Sequence, residues 1–231
     1  MSTTTNKVRH TFRVGTAFLF LMLLLAWPQH IRADEIAVWN FNDSDLIVDH
    51  GSGSLTTNFN LANVLFTLGG TTTNARLGDP AGQSVTLQGG TSNANNGRNL
   101  TLSLSTLGFS NIIVTFATQG TTTGFNSNQF QYSLDGITFI DFGAPYVPAT
   151  TFGLFTFDLS SIAGLNNNPT AAFRIVFNGA TSATGNNRID NLVVEGTAIT
   201  ETEPLPEPAS LLLLGSGLTA LGGWMRKRLR N

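Results

Sequence analysis

Short runs of apolar and β-branched residues recur through the middle of the chain, each bounded by a break rich in glycine, asparagine or threonine. Runs of this length and composition are typical of strands in all-β domains. No longer window carries an amphipathic helical period, apart from residues 61–68. The pattern predicts strands at residues 36–41, 84–87, 99–104, 111–118, 129–134, 138–142, 152–158, 171–178 and 188–195.

Several of these runs alternate between apolar and polar residues, which is the pattern of a strand with one buried face. The apolar sets are Phe173, Ile175 and Phe177; Phe130, Tyr132 and Leu134; and Phe155, Phe157 and Leu159. Asp135-Gly136 lies between two such runs and predicts a hairpin, because these residues accept the positive φ of a tight turn. We expect an all-β fold, a two-sheet antiparallel β-sandwich, at residues 34–200.

The first 33 residues have the three parts of a secretory signal peptide. Lys7, Arg9 and Arg13 come first, an apolar run follows at residues 17–27, and Ala33 offers a small residue for cleavage. We expect cleavage after Ala33, with cleavage nearer Ala26 as an alternative. An uncleaved membrane-anchoring helix is the other possibility, although the run is short for a span of about 20 residues.

The other end of the chain also has three parts. A linker at residues 201–208 closes with Pro206, Glu207 and Pro208, and residues 209–225 then carry no charge. As a helix, this second segment would be about 25 Å long, which is the low edge of what spans a bilayer. The tail at 226–231 is basic, with Arg226, Lys227, Arg228 and Arg230. We predict a transmembrane helix whose basic tail stays in the cytoplasm.

This order of a Pro-Glu-Pro motif, an apolar helix and terminal arginines resembles the PEP-CTERM sorting tail of exported bacterial proteins. The resemblance implies an exosortase, a membrane cysteine protease, as a partner that cuts at or near Pro206, Glu207 and Pro208. It also implies a Gram-negative-type bacterium that makes exopolysaccharide. On this basis the protein is expected at the cell membrane or outer surface, or secreted.

Charge is distributed unevenly along the 231 residues, whose formal net charge is −2. Residues 34–206 hold four arginines, no lysine and thirteen acidic residues, and so have a net charge of −9. A region of this charge cannot neutralise phosphates, which argues against nucleic acid as a partner. The absence of cysteine excludes disulfides, thiolate nucleophiles and cysteine-based metal sites.

Few residues of the interior suit catalysis. His50 is the one histidine after residue 33, so histidine-based triads and histidine-rich metal sites are disfavoured. A hydrolase needs only two carboxylates, but Asp135, Asp141 and Asp158 each have a simpler structural role in a turn or strand. We therefore expect no catalytic residues and a noncatalytic protein, with a secreted glycan hydrolase that uses carboxylates as the alternative.

Three segments resemble the first, middle and last strands of secreted jelly-roll domains related to galactose-binding and carbohydrate-binding modules. They are residues 36–41 (IAVWNF), 130–136 (FQYSLDG) and 187–194 (NRIDNLVV). The resemblance covers most of the interior and implies a noncatalytic, glycan-associated domain.

Calcium is the cofactor to consider. Asp43 and Asp45 concentrate hard oxygen ligands directly after the first strand. In the jelly-roll modules that the chain resembles, an acidic residue near the first strand and an Asp of the last strand often share a structural calcium, and Asp190 matches the latter. The alternative is an ordinary solvated acidic loop.

Sugar binding would need an aromatic platform with polar groups beside it. Trp39 lies in the first predicted strand and is expected in the core, whereas Tyr146 lies between prolines in a loop and is the better exposed candidate. We therefore expect an exported surface or extracellular-matrix protein of a biofilm, with extracellular polysaccharide as its partner.

Overall fold

The computed structural model describes residues 33–66 and 69–200. The described residues form twelve strands: β1 Asp34–Trp39, β2 His50–Gly51, β3 Ser54–Thr57, β4 Val64–Leu65, β5 Val85–Gln88, β6 Arg98–Leu104, β7 Phe109–Gly120, β8 Ser127–Ser133, β9 Ile140–Asp141, β10 Gly153–Asp158, β11 Ala171–Asn178 and β12 Asn186–Ala198.

Two sheets form the sandwich, and every strand pair in them is antiparallel. The seven-stranded sheet runs β10-β7-β12-β1-β2, with β5 on β12 and β4 on β5. The five-stranded sheet runs β3-β6-β11-β8-β9. The all-β sandwich that the alternation predicted is therefore confirmed.

The long strand β12 organises the seven-stranded sheet. Its first half pairs with β5 and its second half with β1, while β7 lies along its other side. The register with β7 shifts between Asp190 and Val193, where Asn191 has a positive φ of 48°. An irregularity of this kind re-aims side chains, and Asp190 and Asn191 are both buried beside it.

Aromatic side chains fill the space between the sheets. Phe130 stacks on Phe157 with ring centroids 3.9 Å apart, and the nearly parallel Phe173 ring has its centroid 6.3 Å from that of Phe130. Trp39 is fully buried in the same cluster, as expected, and its indole N–H donates to the Leu46 carbonyl. These contacts bury large apolar areas, which is the main source of stability in such a fold.

The apolar pattern missed three strands and overextended several others, most of all β9, which is Ile140–Asp141 where residues 138–142 were predicted. β2, β3 and β4 are short, and β3 consists of Ser54, Leu55, Thr56 and Thr57, so it carries little apolar signal. Leu134 was expected inward, but β8 ends at Ser133 and Leu134 is 39% exposed. Within residues 61–68, a 3₁₀ turn at Leu61–Asn63 leads directly into β4.

The hairpin at Asp135-Gly136 is wider than a two-residue turn. Residues 134–139 separate β8 from β9, and Gly136 has the positive φ that was expected. Asp135 shapes this connection because its carboxylate accepts bonds from the backbone N–H groups of Ile137 and Thr138.

The predicted terminal segments lie outside the described residues. They are the signal segment 1–33 except Ala33, the linker 201–208, the helix 209–225 and the tail 226–231. Within the part of the chain that is described, no helix has the length and apolar character needed to cross a membrane.

Candidate functional site

A row of polar side chains crosses four strands on the outer face of the five-stranded sheet. Thr101, Arg174, Gln131 and Asp141 are in register on β6, β11, β8 and β9. The apolar neighbours of Thr101 and Arg174 in sequence are buried in the core, so alternation sends these two outward, and strand pairing places Gln131 and Asp141 beside them. We call this row the polar ladder.

Hydrogen bonds hold the polar ladder in one arrangement. The Arg174 Nε–H donates to Gln131 Oε1 at 2.7 Å, and the Gln131 amide donates to Asp141 Oδ1 at 2.7 Å. Side chains bound to each other in this way lose less conformational freedom when a ligand arrives. The ladder is therefore a preorganised strip of donors and acceptors.

Phe139 covers one side of the ladder. The Arg174 guanidinium carbon lies 3.9 Å from the centre of the Phe139 ring, which is a cation–π contact. Partial burial lowers the pKa of Arg174, and the negative charge of Asp141 opposes that change. Arg174 stays a cation because an arginine guanidinium keeps its proton in proteins.

The outer face of the seven-stranded sheet is different, because residues 69–79 lie across it. We call this segment the strap. Asp190 accepts from the Thr71 N–H at 2.6 Å, and the Asn191 amide donates to the carbonyls of Thr71 and Thr73 at 2.7 and 2.9 Å. Asn74 in turn donates to the Asn191 carbonyl at 2.7 Å.

Burial dominates the electrostatics of Asp190. Its side chain is fully buried, and loss of hydration raises its pKa to about 7, although the N–H groups of Thr71 and Asn191 donate to the carboxylate. Burying a charge is costly unless it is well paired. Asp190 therefore joins β12 to the strap, and the strength of this connection depends on whether the Asp190 carboxyl group is protonated.

The calcium ligands predicted from sequence do not come together as a set. Asp43 is exposed, Asp45 caps the Ile47 N–H, and Asp190 is buried under the strap. In the described ranges, no three His, Cys, Asp or Glu side chains form a group suited to a metal ion.

Backbone carbonyl oxygens lie near Asp190 and could act as calcium ligands in place of Asp43 and Asp45. Asp190 Oδ2 and the carbonyls of Ala81 and Gln83 all surround the position that a Cβ would take on Gly70. Calcium prefers such hard oxygen donors, so the donor chemistry at Asp190 fits the ion that the jelly-roll resemblance implies. Asp190, Ala81 and Gln83 are the residues that would hold it.

A second acidic group lies near Asn40, at the end of β1. The Asn40 backbone N–H donates to Asp49 at 2.7 Å, and its side-chain amide donates to Asp79 at 3.0 Å. Burial raises the pKa of Asp49, and the charges of Asp43 and Asp79 raise it further. Sequence analysis missed this cluster because Asp79 is 39 residues away from Asn40 along the chain.

One pair of carboxylates faces the solvent across β1 and β12. Glu35 and Glu195 are directly opposite in register, and Arg76 of the strap forms an ion pair with each at 3.2 Å. They border a cavity of about 590 Å³. Because one arginine holds both carboxylates, their arrangement ties the strap to the sheet and leaves neither of them free as an acid or base.

Tyr146 is not the exposed platform that its neighbouring prolines suggested. It is half-buried, and its ring lies 4.5 Å from Phe155 and 5.8 Å from Phe157, centroid to centroid. Burial raises the pKa of its hydroxyl. His50, expected in a loop, lies in β2 opposite Val38. Both residues are therefore structural parts of the sandwich.

The residues of the polar ladder were missed by sequence analysis, which looked for aromatic platforms. Their signal was present, since Arg174 and Gln131 occupy outward positions of two predicted strands. The pairing of those strands, which alternation does not specify, brings them together.

No protein-family model matches this chain, and no curated protein matches it. Solved structures that are similar include TmCBM61 in complex with β-1,4-galactotriose, at 13% identity and a TM-score of 0.41, covering 67% of this chain and 92% of that one. The CBM22-1 xylan-binding domain of Xyn10C from Paenibacillus barcinonensis has 11% identity and a TM-score of 0.46, with coverages of 73% and 97%.

A third similar structure is domain 4 of AbnA, a GH43 extracellular arabinanase from Geobacillus stearothermophilus, in complex with arabinotriose. It has 12% identity and a TM-score of 0.44, and the match covers 73% of this chain and 95% of that one.

Proposed function

We propose that this protein is a noncatalytic exported module that binds extracellular polysaccharide through the outer face of its five-stranded sheet. The observation that carries the proposal is the polar ladder of Thr101, Arg174, Gln131 and Asp141, held in register across four strands. It is an open strip of hydrogen-bonding groups on a rigid sheet.

The chemistry of the ladder suits hydroxyl-rich ligands. Guanidinium and amide groups are planar and present several donors, and the Asp141 carboxylate accepts from hydroxyl groups. Neighbouring strands lie about 4.8 Å apart, so the ladder presents a repeated set of polar groups to an extended chain. Few polar groups at fixed positions, beside an apolar surface such as Phe139, are the usual features of a small-ligand site.

We also propose that the C-terminal segment sorts the protein, with an exosortase acting near Pro206, Glu207 and Pro208 and the apolar helix holding the protein in the membrane until then. The support is the order of the three sequence features described above. Mass spectrometry of the mature protein from its native host tests this proposal. We expect an N-terminus at Asp34 and a C-terminus near residue 206, and a mature C-terminus at Asn231 would contradict sorting.

A structural calcium at Asp190 is part of the proposal. The support is the convergence of Asp190 Oδ2 with the carbonyls of Ala81 and Gln83. If calcium binds only the folded state, a concentration of 100 times Kd adds about 2.7 kcal/mol to stability. We expect Tm to rise with calcium and to fall in chelator, and a Tm that is identical in both would contradict the site.

Binding is tested with the full chain in detergent micelles and the exopolysaccharide of the producing bacterium. We expect retention without release of oligosaccharides. Arg174→Met keeps the apolar stem over Phe139 but removes the charged group, and Gln131→Ala removes the central amide, so each should weaken binding about tenfold.

Thr156→Ala is the matched control, because Thr156 is an exposed strand residue on the other sheet. It should bind like the original protein. Released oligosaccharides would support the hydrolase alternative, and unchanged binding by both ladder variants would place the ligand elsewhere.

A further inference from the structure

A cavity of about 400 Å³ lies beside the polar ladder, at the end of the five-stranded sheet where β6 stops and β11 begins. Its exposed apolar lining comes from Pro169, while Leu104 and Ala171, which are paired in register, are buried beneath it. The volume is within the range of about 300–1,000 Å³ that is usual for ligand pockets.

The polar lining of the cavity consists of hydroxyl groups and one carboxylate. Ser103, Ser105 and Thr170 supply the hydroxyls, and Asp135 supplies the carboxylate. Ser103 is two residues from Thr101 of the ladder on the same strand, or about 7 Å along it. The cavity is therefore close enough to the ladder to receive the next part of the same extended ligand.

The Asp135 carboxylate is fixed in position and charge. Its Oδ1 accepts from the N–H groups of Thr138 and Ile137 at 2.7 and 2.8 Å and from the Ser133 hydroxyl at 2.8 Å. These bonds, led by that of Thr138, hold the pKa of Asp135 well below its usual range. A permanent negative charge therefore lies at the cavity.

We infer that this cavity holds an uncharged sugar unit of the bound polysaccharide and that Asp135 makes the site discriminate against acidic sugars. The inference rests on the proposed function and specifies its substrate class. A carboxylate accepts hydrogen bonds from sugar hydroxyls, whereas a uronic acid would bring a second carboxylate against it. The exposed ring of Pro169 suits the apolar face of a pyranose ring.

The charges in the rest of the domain also favour uncharged over acidic polysaccharides. Arg174 is the cation of the ladder, and it is already bound to Gln131 and near Asp141. The net charge of −9 over residues 34–206 adds a long-range repulsion of polyanions. An uncharged polysaccharide meets neither penalty.

The test measures binding of the full chain to a panel of uncharged polysaccharides (β-1,4-galactan, xylan and dextran) and acidic ones (polygalacturonate and alginate). We expect at least one uncharged polysaccharide to bind at least tenfold more tightly than both acidic ones in about 0.15 M salt, which screens the long-range repulsion of the whole domain. Asp135→Asn keeps the acceptor oxygen for Ile137 and Thr138 but removes the charge. It should weaken binding of the uncharged ligand about fivefold and reduce the discrimination to less than threefold.

Ser103→Val is a second variant, because it removes a hydroxyl of the cavity and places a good strand former at an exposed position of β6. It should weaken binding of the uncharged ligand at an unchanged Tm. Discrimination that persists in Asp135→Asn, or an acidic polysaccharide bound as tightly as any uncharged one, would overturn the inference. Loss of binding in Arg174→Met with no effect of Asp135→Asn or Ser103→Val would leave the proposed function standing and reject this cavity. If no polysaccharide binds, both proposals fail.

Discussion

The two outer faces of the sandwich use the same kinds of polar side chain for opposite purposes. On the seven-stranded sheet, Asp190 and Asn191 are buried beneath the strap and bonded to its backbone. On the five-stranded sheet, Gln131 and Asp141 bond to each other in an open row. The first arrangement closes a surface, and the second presents one.

The two arginines show the same difference. Arg76 connects the strap to Glu35 and Glu195, so both of its ion pairs are within the protein. Arg174 is bonded to a neutral amide and stacked on Phe139. A polar group whose partners are all internal stabilises the fold, whereas one held in place by neutral neighbours can still engage a ligand.

Removing a side-chain amide should give the largest difference between the two faces in the free energy of unfolding. Asn191→Ala loses two bonds to strap carbonyls at a fully buried position with positive φ, so it should lower the free energy of unfolding by about 3 kcal/mol. Gln131→Ala, its control on the open face, should cost about 0.5 kcal/mol or less. Urea denaturation measures both, and equal losses would contradict the assignment of roles.

A second expected difference is in pH dependence. The pKa of Asp190 is about 7 in the folded protein and near 3.8 when unfolded, so the folded state holds this proton more tightly. The contribution of Asp190 to the free energy of unfolding is complete below pH 4 and is lost as the pH rises through 7. Each pH unit over which the two states differ by one proton is worth about 1.36 kcal/mol, so we expect a loss on the order of 2 kcal/mol between pH 5 and 7.

Thermal unfolding between pH 5 and 8 measures this loss in calcium-free buffer. Asp190→Asn should remove most of the dependence of Tm on pH. A small part should remain because the pKa of Asp49 is also raised. Thr156→Ala, which removes no ionisable group, should leave the dependence of Tm on pH as it was. A protein that becomes more stable toward pH 8 in the absence of calcium would contradict the account of Asp190.

A smaller effect is expected at the strap's ion pairs. Arg76→Met should lower the free energy of unfolding by about 1 kcal/mol, because both pairs are partly exposed to solvent. High salt should reduce the difference between the two proteins, since it screens partly exposed charges. A loss that does not depend on salt would show that packing, and not charge, holds the strap.

The smallest effect on stability is expected from Arg174→Met. Its long apolar stem can still cover Phe139, so the free energy of unfolding should change by about 0.5 kcal/mol or less. The same variant should lose about tenfold in polysaccharide affinity. A large loss of stability here would remove the contrast between the two faces.

Much of the fold followed from local patterns, and the exceptions have physical reasons. The alternation of Phe173, Ile175 and Phe177 predicted β11 with its observed bounds. β3 was missed because hydroxyl residues carry little apolar signal, although pairing with β6 places Leu55 in the core. Tyr146 was misplaced because prolines indicate a loop and say nothing about what packs against it.

The candidate site was less predictable than the fold. Asp190 was identified, but its partners in the structure are Thr71 and the oxygens around Gly70, and not Asp43 or Asp45. The polar ladder was visible only as single outward residues on separate strands.

The sequence by itself determined that this domain is all-β and which side chains point inward on strands such as β11, because side-chain direction alternates within a strand and needs no distant partner. It also determined the acidic, lysine-free character of the domain. Tertiary structure alone decided which polar side chains are covered and which are open. Thr71 and Asp190 are 119 residues apart along the chain, and only strand pairing brings the strap over the seven-stranded sheet and sets the polar ladder in register on the five-stranded one.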